Sequence, residues 1–200
     1  MSLHAPVVLA VDTALDACSV AIARGDEVLA HIAEPMTRGQ AERLAPMARE
    51  AAAAAGVAFT DIDRVATTVG PGSFTGVRVG LSFARALALA IGKPCVGVST
   101  LEALALEEGE AGLRGAVIET PGASYFALYD DGVPLIAPRA IERGEHITLL
   151  AGRAAKLSGP GVAPSMAALA RRAQWLEPGR YPPDPLYLRA PHATLPGERP

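Results

Sequence analysis

The chain has 200 residues, half of them hydrophobic and only 4% aromatic, with a formal net charge of −3. That much apolar mass suits one large domain or two small lobes and excludes a disordered chain. The charge excludes a general nucleic-acid binder, whose phosphate contacts need a basic face, so any work on RNA has to run through a partner.

Val7-Val8-Leu9-Ala10-Val11 is a short continuous apolar run, the pattern of a strand buried on both faces. It has no basic residues before it and Asp12 directly after it, so it reads as a core strand and not a signal peptide. Cys18 to Ala23 is a second strand, and Gly25-Asp26 turns the chain into a third, Val28 to Ile32. Gln40 to Ala55 reads as a helix ending at Gly56, with Leu44, Met47, Ala48 and Ala51 on one stripe. Pro46 inside it demands either a late start or a bend.

Arg64 to Val69 is the fourth strand, with Asp61, Asp63 and Arg64 expected to solvate the loop before it. The glycine-rich turn Gly70-Pro71-Gly72-Ser73-Phe74-Thr75-Gly76 follows, then a helix to Ile91 stopped by Gly92-Lys93-Pro94. Cys95 to Val98 is the fifth strand and Ser99 caps a third helix, Thr100 to Glu107. The order β-β-β-α-β-α-β-α over residues 1–108 is that of one lobe of the RNase H-like, actin-like (ASKHA) α/β fold. A reduced second lobe is expected over 109–200, reopening with strands at Gly115 to Glu119, Ser124 to Tyr129 and Val133 to Pro138. Helices near His146 to Lys156 and Ser165 to Ala173 continue it, and the Pro-rich tail from Glu177 wraps the surface or frays. No stretch offers 18 uninterrupted apolar residues, so no membrane span is expected and the cytoplasm is the expected location.

Cys18 and Cys95 are too few for a disulfide framework and read as small core residues. His4, His31, His146 and His192 contain no HxxH or HxxxH pair, so no metal site is expected. The glycine turn admits two readings. Gly70, Gly72, Ser73 and Thr75, with Asp12 and Thr13 at the end of the first strand, have the makings of a nucleotide or anion site at a helix N-terminus. The turn equally serves as a tight strand-to-helix corner, and it fits neither GxxxxGK[ST], GxGxxG nor GxSxG. Ser73 or Thr75 would cap the helix.

Along that helix Gly76, Gly80, Ala84 and Ala88 recur every four residues and form a row of small side chains. Val79, Phe83 and Leu87 are expected to face the sheet, and Arg78, Ser82, Arg85 and Leu89 form a third stripe. The small row packs on the first helix, or docks on a partner, or both. As a partner interface the face comprises Gln40, Arg43, Leu44 and Met47 with Gly76, Arg78, Gly80, Ser82, Ala84, Arg85 and Ala88.

Three stretches resemble the TsaB (YeaZ) family of tRNA threonylcarbamoyladenosine (t6A) biosynthesis. They are Leu9-Ala10-Val11-Asp12-Thr13 with Cys18-Ser19-Val20-Ala21, then Gly70 through Gly80, then Val96-Gly97-Val98-Ser99-Thr100-Leu101. Arg43-Leu44-Ala45-Pro46-Met47 and Tyr187-Leu188-Arg189 echo it further. The resemblance implies a non-catalytic scaffold or activating subunit, with no catalytic or metal residues of its own, for threonylcarbamoyl transfer to adenosine 37 of tRNA. Its implied partners are a TsaD-type catalytic subunit and a TsaE-type ATPase, with a homodimer when the partner is absent and tRNA contacted only indirectly. No cofactor is required by the chain itself, and ATP or ADP belongs to a shared interface. Where TsaD-like proteins carry HxxxH, this chain reads Arg38-Gly39-Gln40-Ala41-Glu42-Arg43-Leu44. Relatives often carry Asp-Ala-Arg after the second lobe's first strand, and this chain departs with Glu119-Thr120-Pro121-Gly122. An actin-like nucleotide-binding ATPase or kinase is the alternative, motivated by Asp12, Thr13 and the turn. An M22-type metallopeptidase is disfavoured by the missing histidine pair.

Overall fold

The computed structural model describes residues 5–106 and 112–188. The expected 108/109 lobe boundary, His4, His192, Glu107 and Arg189 lie outside them. Two sheets form the α/β framework. The first has the order β3-β2-β1-β4-β5, from β1 (Val7–Asp12), β2 (Ala17–Arg24), β3 (Glu27–Pro35), β4 (Arg64–Thr68) and β5 (Cys95–Val98). β1, β2 and β3 pair antiparallel, while β4 and β5 run parallel to β1. This is the expected opening meander followed by crossovers through helices α1 (Gln40–Ala55) and α2 (Phe74–Ile91).

All six residues of β1 are buried because the sheet is covered on both sides. Val7, Leu9 and Val11 point to one face, with Leu44, Met47, Ala48, Ala84 and Ala88 from α1 and α2. Val8 and Ala10 point to the other, with Met166, Leu169, Ala170 and Ala173 from the C-terminal helix α5 (Met166–Ala173). The second interface is built from alanines on both sides, Ala10, Ala21, Ala23 and Ala66 against Ala167, Ala170 and Ala173. That close approach is what the Ala-rich, aromatic-poor composition serves.

The second sheet has the order β8-β7-β6-β9, from β6 (Leu113–Thr120), β7 (Ala123–Asp130), β8 (Val133–Ile141) and β9 (Lys156–Ser158). Helix α3 (Thr100–Ala105) packs on one face through Leu101 and Leu104. Helix α4 (Glu145–Leu150) covers the other through Leu149 and Leu150.

Four expectations change. The helix expected to reach Lys156 stops at Leu150, Gly152 takes a left-handed φ of 75°, and the chain returns as β9, parallel to β6. The helix at 166–173, read as part of the second lobe, packs on the first sheet. Arg64, read as loop solvation, clamps it there: one guanidinium nitrogen donates to the carbonyls of Ala173, Gln174 and Leu176, at the C-terminus of α5. Asp63 is likewise engaged, accepting from the Val7 backbone N–H (3.0 Å) and the Lys93 ammonium (3.1 Å). Pro46 lies inside α1, which starts at Gln40, so the Glu42 carbonyl loses its helical donor at an exposed position.

Candidate functional site: the glycine turn and the two-helix groove

The end of β1 and the glycine turn close on each other. Gly70 adopts a φ of 101° and its peptide bond to Pro71 is cis. Ser73 caps α2: its hydroxyl accepts from the Gly76 N–H at 3.0 Å, while Thr75 is exposed. The Ser73 N–H donates to the Ala14 carbonyl at 2.8 Å, and the Thr13 hydroxyl donates to the Gly76 carbonyl at 2.7 Å. A Cβ on Gly72 would collide with the Ala14 carbonyl, and one on Gly76 with the Thr13 carbonyl. One on Gly80 would sit 2.8 Å from the Thr13 hydroxyl. The glycines therefore admit the backbone of residues 13 and 14, which occupies the space above the helix N-terminus.

Asp12 is fully buried beneath this turn. Its Oδ1 accepts from the Ala14 N–H at 3.1 Å and the Thr68 hydroxyl at 2.5 Å, while Oδ2 has no partner. Burial pushes its carboxyl up to about 6, against the lowering effect of the Thr68 and Ala14 hydrogen bonds. The nearby cleft between the sheets, about 360 Å³, is lined by Asp16, Glu119, Ser73 and Thr120, with no lysine or arginine among the described residues. The turn's N–H groups at Ser73, Gly76 and Val77 are already engaged, and of the cleft's two carboxylates Glu119 is paired with Arg143 at 3.0 Å. No three His, Cys, Asp or Glu side chains among the described residues come together as ligands.

The faces of α2 are distributed differently from the expectation. Gly76, Gly80, Ala84 and Ala88 are buried against the sheet, where the small row lets the helix approach Thr13 and Thr67. Val79, Phe83 and Leu87, expected against the sheet, are only partly buried and lie on the first core's margin. Leu44 and Met47 are buried too. Gly76, Gly80, Ala84, Ala88 and Met47 are thus removed from any exposed docking face. An arginine at Gly80 or Ala84 would disrupt the core.

A surface groove does run between α1 and α2. It encloses about 510 Å³ and is lined by Ala41, Ala45, Phe74, Thr75, Val79 and Phe83, with Leu44, Arg78 and Ser82 completing it. Phe74 at its mouth is 60% exposed. Arg85 is exposed on the same helix, 3.5 Å from the exposed carboxylate of Asp184. Gln40 donates through its side-chain amide to the Met36 carbonyl, at 3.0 Å. Arg43 bridges Glu34 on β3 and Glu50 on α1, at 2.8 and 2.7 Å, and holds both carboxyls below the usual range. Gln40 and Arg43 therefore fix α1 in place rather than point outward.

α2 is the one described helix with the length and apolar character of a membrane span, with a mean hydropathy of 1.4. Its buried glycine-alanine row and its exposed Arg78 and Arg85 are those of a helix seated on a sheet. The sequence reading passed over Ala41, Ala45 and Phe83 as groove walls. Their signal was the spacing of Ala41 and Ala45, small and four apart, beside the buried stripe of Leu44 and Met47.

Comparison with known proteins agrees with this picture. Residues 27–121 match the family model "TsaD: tRNA N6-adenosine threonylcarbamoyltransferase". The tRNA threonylcarbamoyladenosine biosynthesis protein TsaB of Escherichia coli K12 is 40% identical over 126 residues, 61% of this chain and 54% of that protein, so the match spans about half of that relative. An uncharacterized protein of Mycobacterium tuberculosis H37Rv is 33% identical over 202 residues, covering 93% of each. The solved structure of YeaZ from Pseudomonas aeruginosa superimposes with a TM-score of 0.74 at 27% identity, covering 92% of this chain and all of that one. The sequence match and the shared two-sheet fold agree: the chain belongs to the TsaB/YeaZ family.

Proposed function

We propose that this chain is a non-catalytic scaffold and activating subunit for threonylcarbamoyl transfer to adenosine 37 of tRNA, working through a TsaD-type catalytic partner. The observation that carries the reading is the apolar α1–α2 groove, an exposed helix pair with no covering element among the described residues, beside a glycine turn filled by the protein's own backbone. A helix pair presenting Ala41, Ala45, Val79 and Phe83 accepts the ridges of another helix pair. The same face serves a second copy of the chain when the partner is absent. A TsaE-type ATPase and tRNA join through the complex, and the protein works in the cytoplasm. Where the complex uses ATP or ADP, the nucleotide sits at a shared interface, a reading supported by the backbone of residues 13 and 14 packed against the glycine turn.

The test is co-purification with the cognate TsaD-type subunit, comparing the parent with Ala45→Arg. Ala45 is exposed in the groove wall, so the arginine leaves the fold within about 0.5 kcal/mol while obstructing the groove. Loss of the complex supports the reading, and an undiminished complex counts against it.

A further inference from the structure

The segment after α5 returns along the first sheet and then along α2. The Gly97 N–H on the outer side of edge strand β5 donates to the Tyr181 carbonyl at 3.0 Å. The Leu186 N–H donates to the Val69 carbonyl at 2.8 Å. Gly97 has no room for a side chain, since a Cβ there would lie 2.7 Å from the Pro182 carbonyl. Between and beyond these bonds Asp184 pairs with Arg85, and Tyr187 reaches the first turn of α2.

There the Tyr187 ring stacks on Phe74, centroids 6.2 Å apart and planes 29° apart. The Arg78 guanidinium lies 3.7 Å above the centre of the Phe74 ring and donates to the Tyr187 hydroxyl from Nε and Nη2, both at 3.3 Å. Phe74 and Tyr187 remain 60% and 53% exposed. α2 has no acidic residue, and Asp184 offsets Arg85 but nothing among the described residues offsets Arg78. A cation laid over one aromatic ring and hydrogen-bonded to the hydroxyl of a second, open to solvent and at the rim of an apolar groove, is a prepared contact. It suits an apolar surface that carries a carboxylate.

We infer that the segment 181–188 is part of the docking surface. Tyr187 completes a Phe74–Arg78–Tyr187 rim that receives a carboxylate beside an apolar side chain of the partner subunit. This rests on the docking reading above and adds a second contact to it. The partner's apolar helices fill the groove while its carboxylate seats on Arg78, which fixes register along α2. Strap and helix thus act as one surface, although 109 residues separate Arg78 from Tyr187.

The test measures the dissociation constant and the association rate for the purified cognate TsaD-type subunit with full-length parent, Tyr187→Ala, Arg78→Ala and Ala45→Arg. Hydrogen exchange at the Leu186 amide reports whether the strap stays seated. Tyr187→Ala and Arg78→Ala should each weaken binding about tenfold with Leu186 protection retained. The parent's association rate should fall with added salt more steeply than that of Arg78→Ala. Binding within twofold of the parent for Tyr187→Ala overturns the inference. So does a loss in Tyr187→Ala that accompanies lost Leu186 protection while Arg78→Ala binds normally. A change in self-association alone would assign the rim to a second copy and also overturns it. If Ala45→Arg binds as the parent does, the groove reading itself fails, which is a separate result.

Discussion

Replacing Asp12 with asparagine should stabilise the protein at alkaline pH and leave it almost unchanged in acid. The carboxyl is fully buried, Oδ1 is satisfied by Ala14 and Thr68, and Oδ2 has no partner. Burial raises its titration from 3.8 to about 6 in the folded state. Between those values the native state keeps a proton that the unfolded chain has lost, so stability falls as pH rises through the window. At 1.36 kcal/mol per pH unit the loss amounts to about 3 kcal/mol once Asp12 is fully ionised. Asparagine keeps the acceptor on Oδ1 and removes the charge. Subtracting the unfolding free energies of parent and Asp12→Asn cancels every other titrating group. The difference should grow in favour of the variant by about 2.5 kcal/mol between pH 4 and pH 8, the rest having been lost below pH 4. Urea denaturation at pH 4, 6 and 8 measures it. Parallel pH profiles, differing by less than about 1 kcal/mol across the range, would refute the reasoning by showing that the carboxylate is solvated or paired.

Gly76→Ala should destabilise by at least about 1–3 kcal/mol in urea titrations, because the new methyl meets the Thr13 carbonyl and the Ser73 hydroxyl with no direction of relief. Arg64→Ala should cost about 1.5–3 kcal/mol, since three carbonyls at the end of α5 lose their shared donor, and hydrogen exchange should quicken in α5 before the rest of the sheet. Gly97→Val should displace the strap and also press on the buried Val69 side chain, seen as lost protection of the Leu186 amide together with a fall in overall stability.

The first sheet was legible because its strands are continuous apolar runs with short turns, and a strand buried on both faces has few other ways to read. Three features were hidden for physical reasons. The rule that large apolar residues face inward misplaced Val79, Phe83 and Leu87, because β1 and β4 leave room only for glycine and alanine next to Thr13 and Thr67. The destination of α5 was invisible, since an alanine-rich helix packs equally well on any small-residue sheet. Its anchor, Arg64, lies 109 residues away from Ala173. The turn's glycines signalled a close approach correctly, but not whether a phosphate or the protein's own backbone makes it. The Ser73–Ala14 hydrogen bond and the Thr13 and Ala14 carbonyls packed against Gly76 and Gly72 show the protein's own backbone making it. The Phe74–Tyr187 stack pairs two residues whose separate motifs carried no hint of contact.

The central claim, that the chain activates a partner and does not itself catalyse, is tested most directly by reconstitution. Formation of t6A on tRNA should be followed with the chain alone, with the TsaD-type and TsaE-type subunits alone, and with all three, supplied with an activated threonylcarbamoyl donor and ATP. The account predicts no product from the chain alone, little without it, and full activity only with all three, an activity that Ala45→Arg fails to restore. Product or sustained ATP hydrolysis from the chain alone, or full activity in its absence, would contradict it.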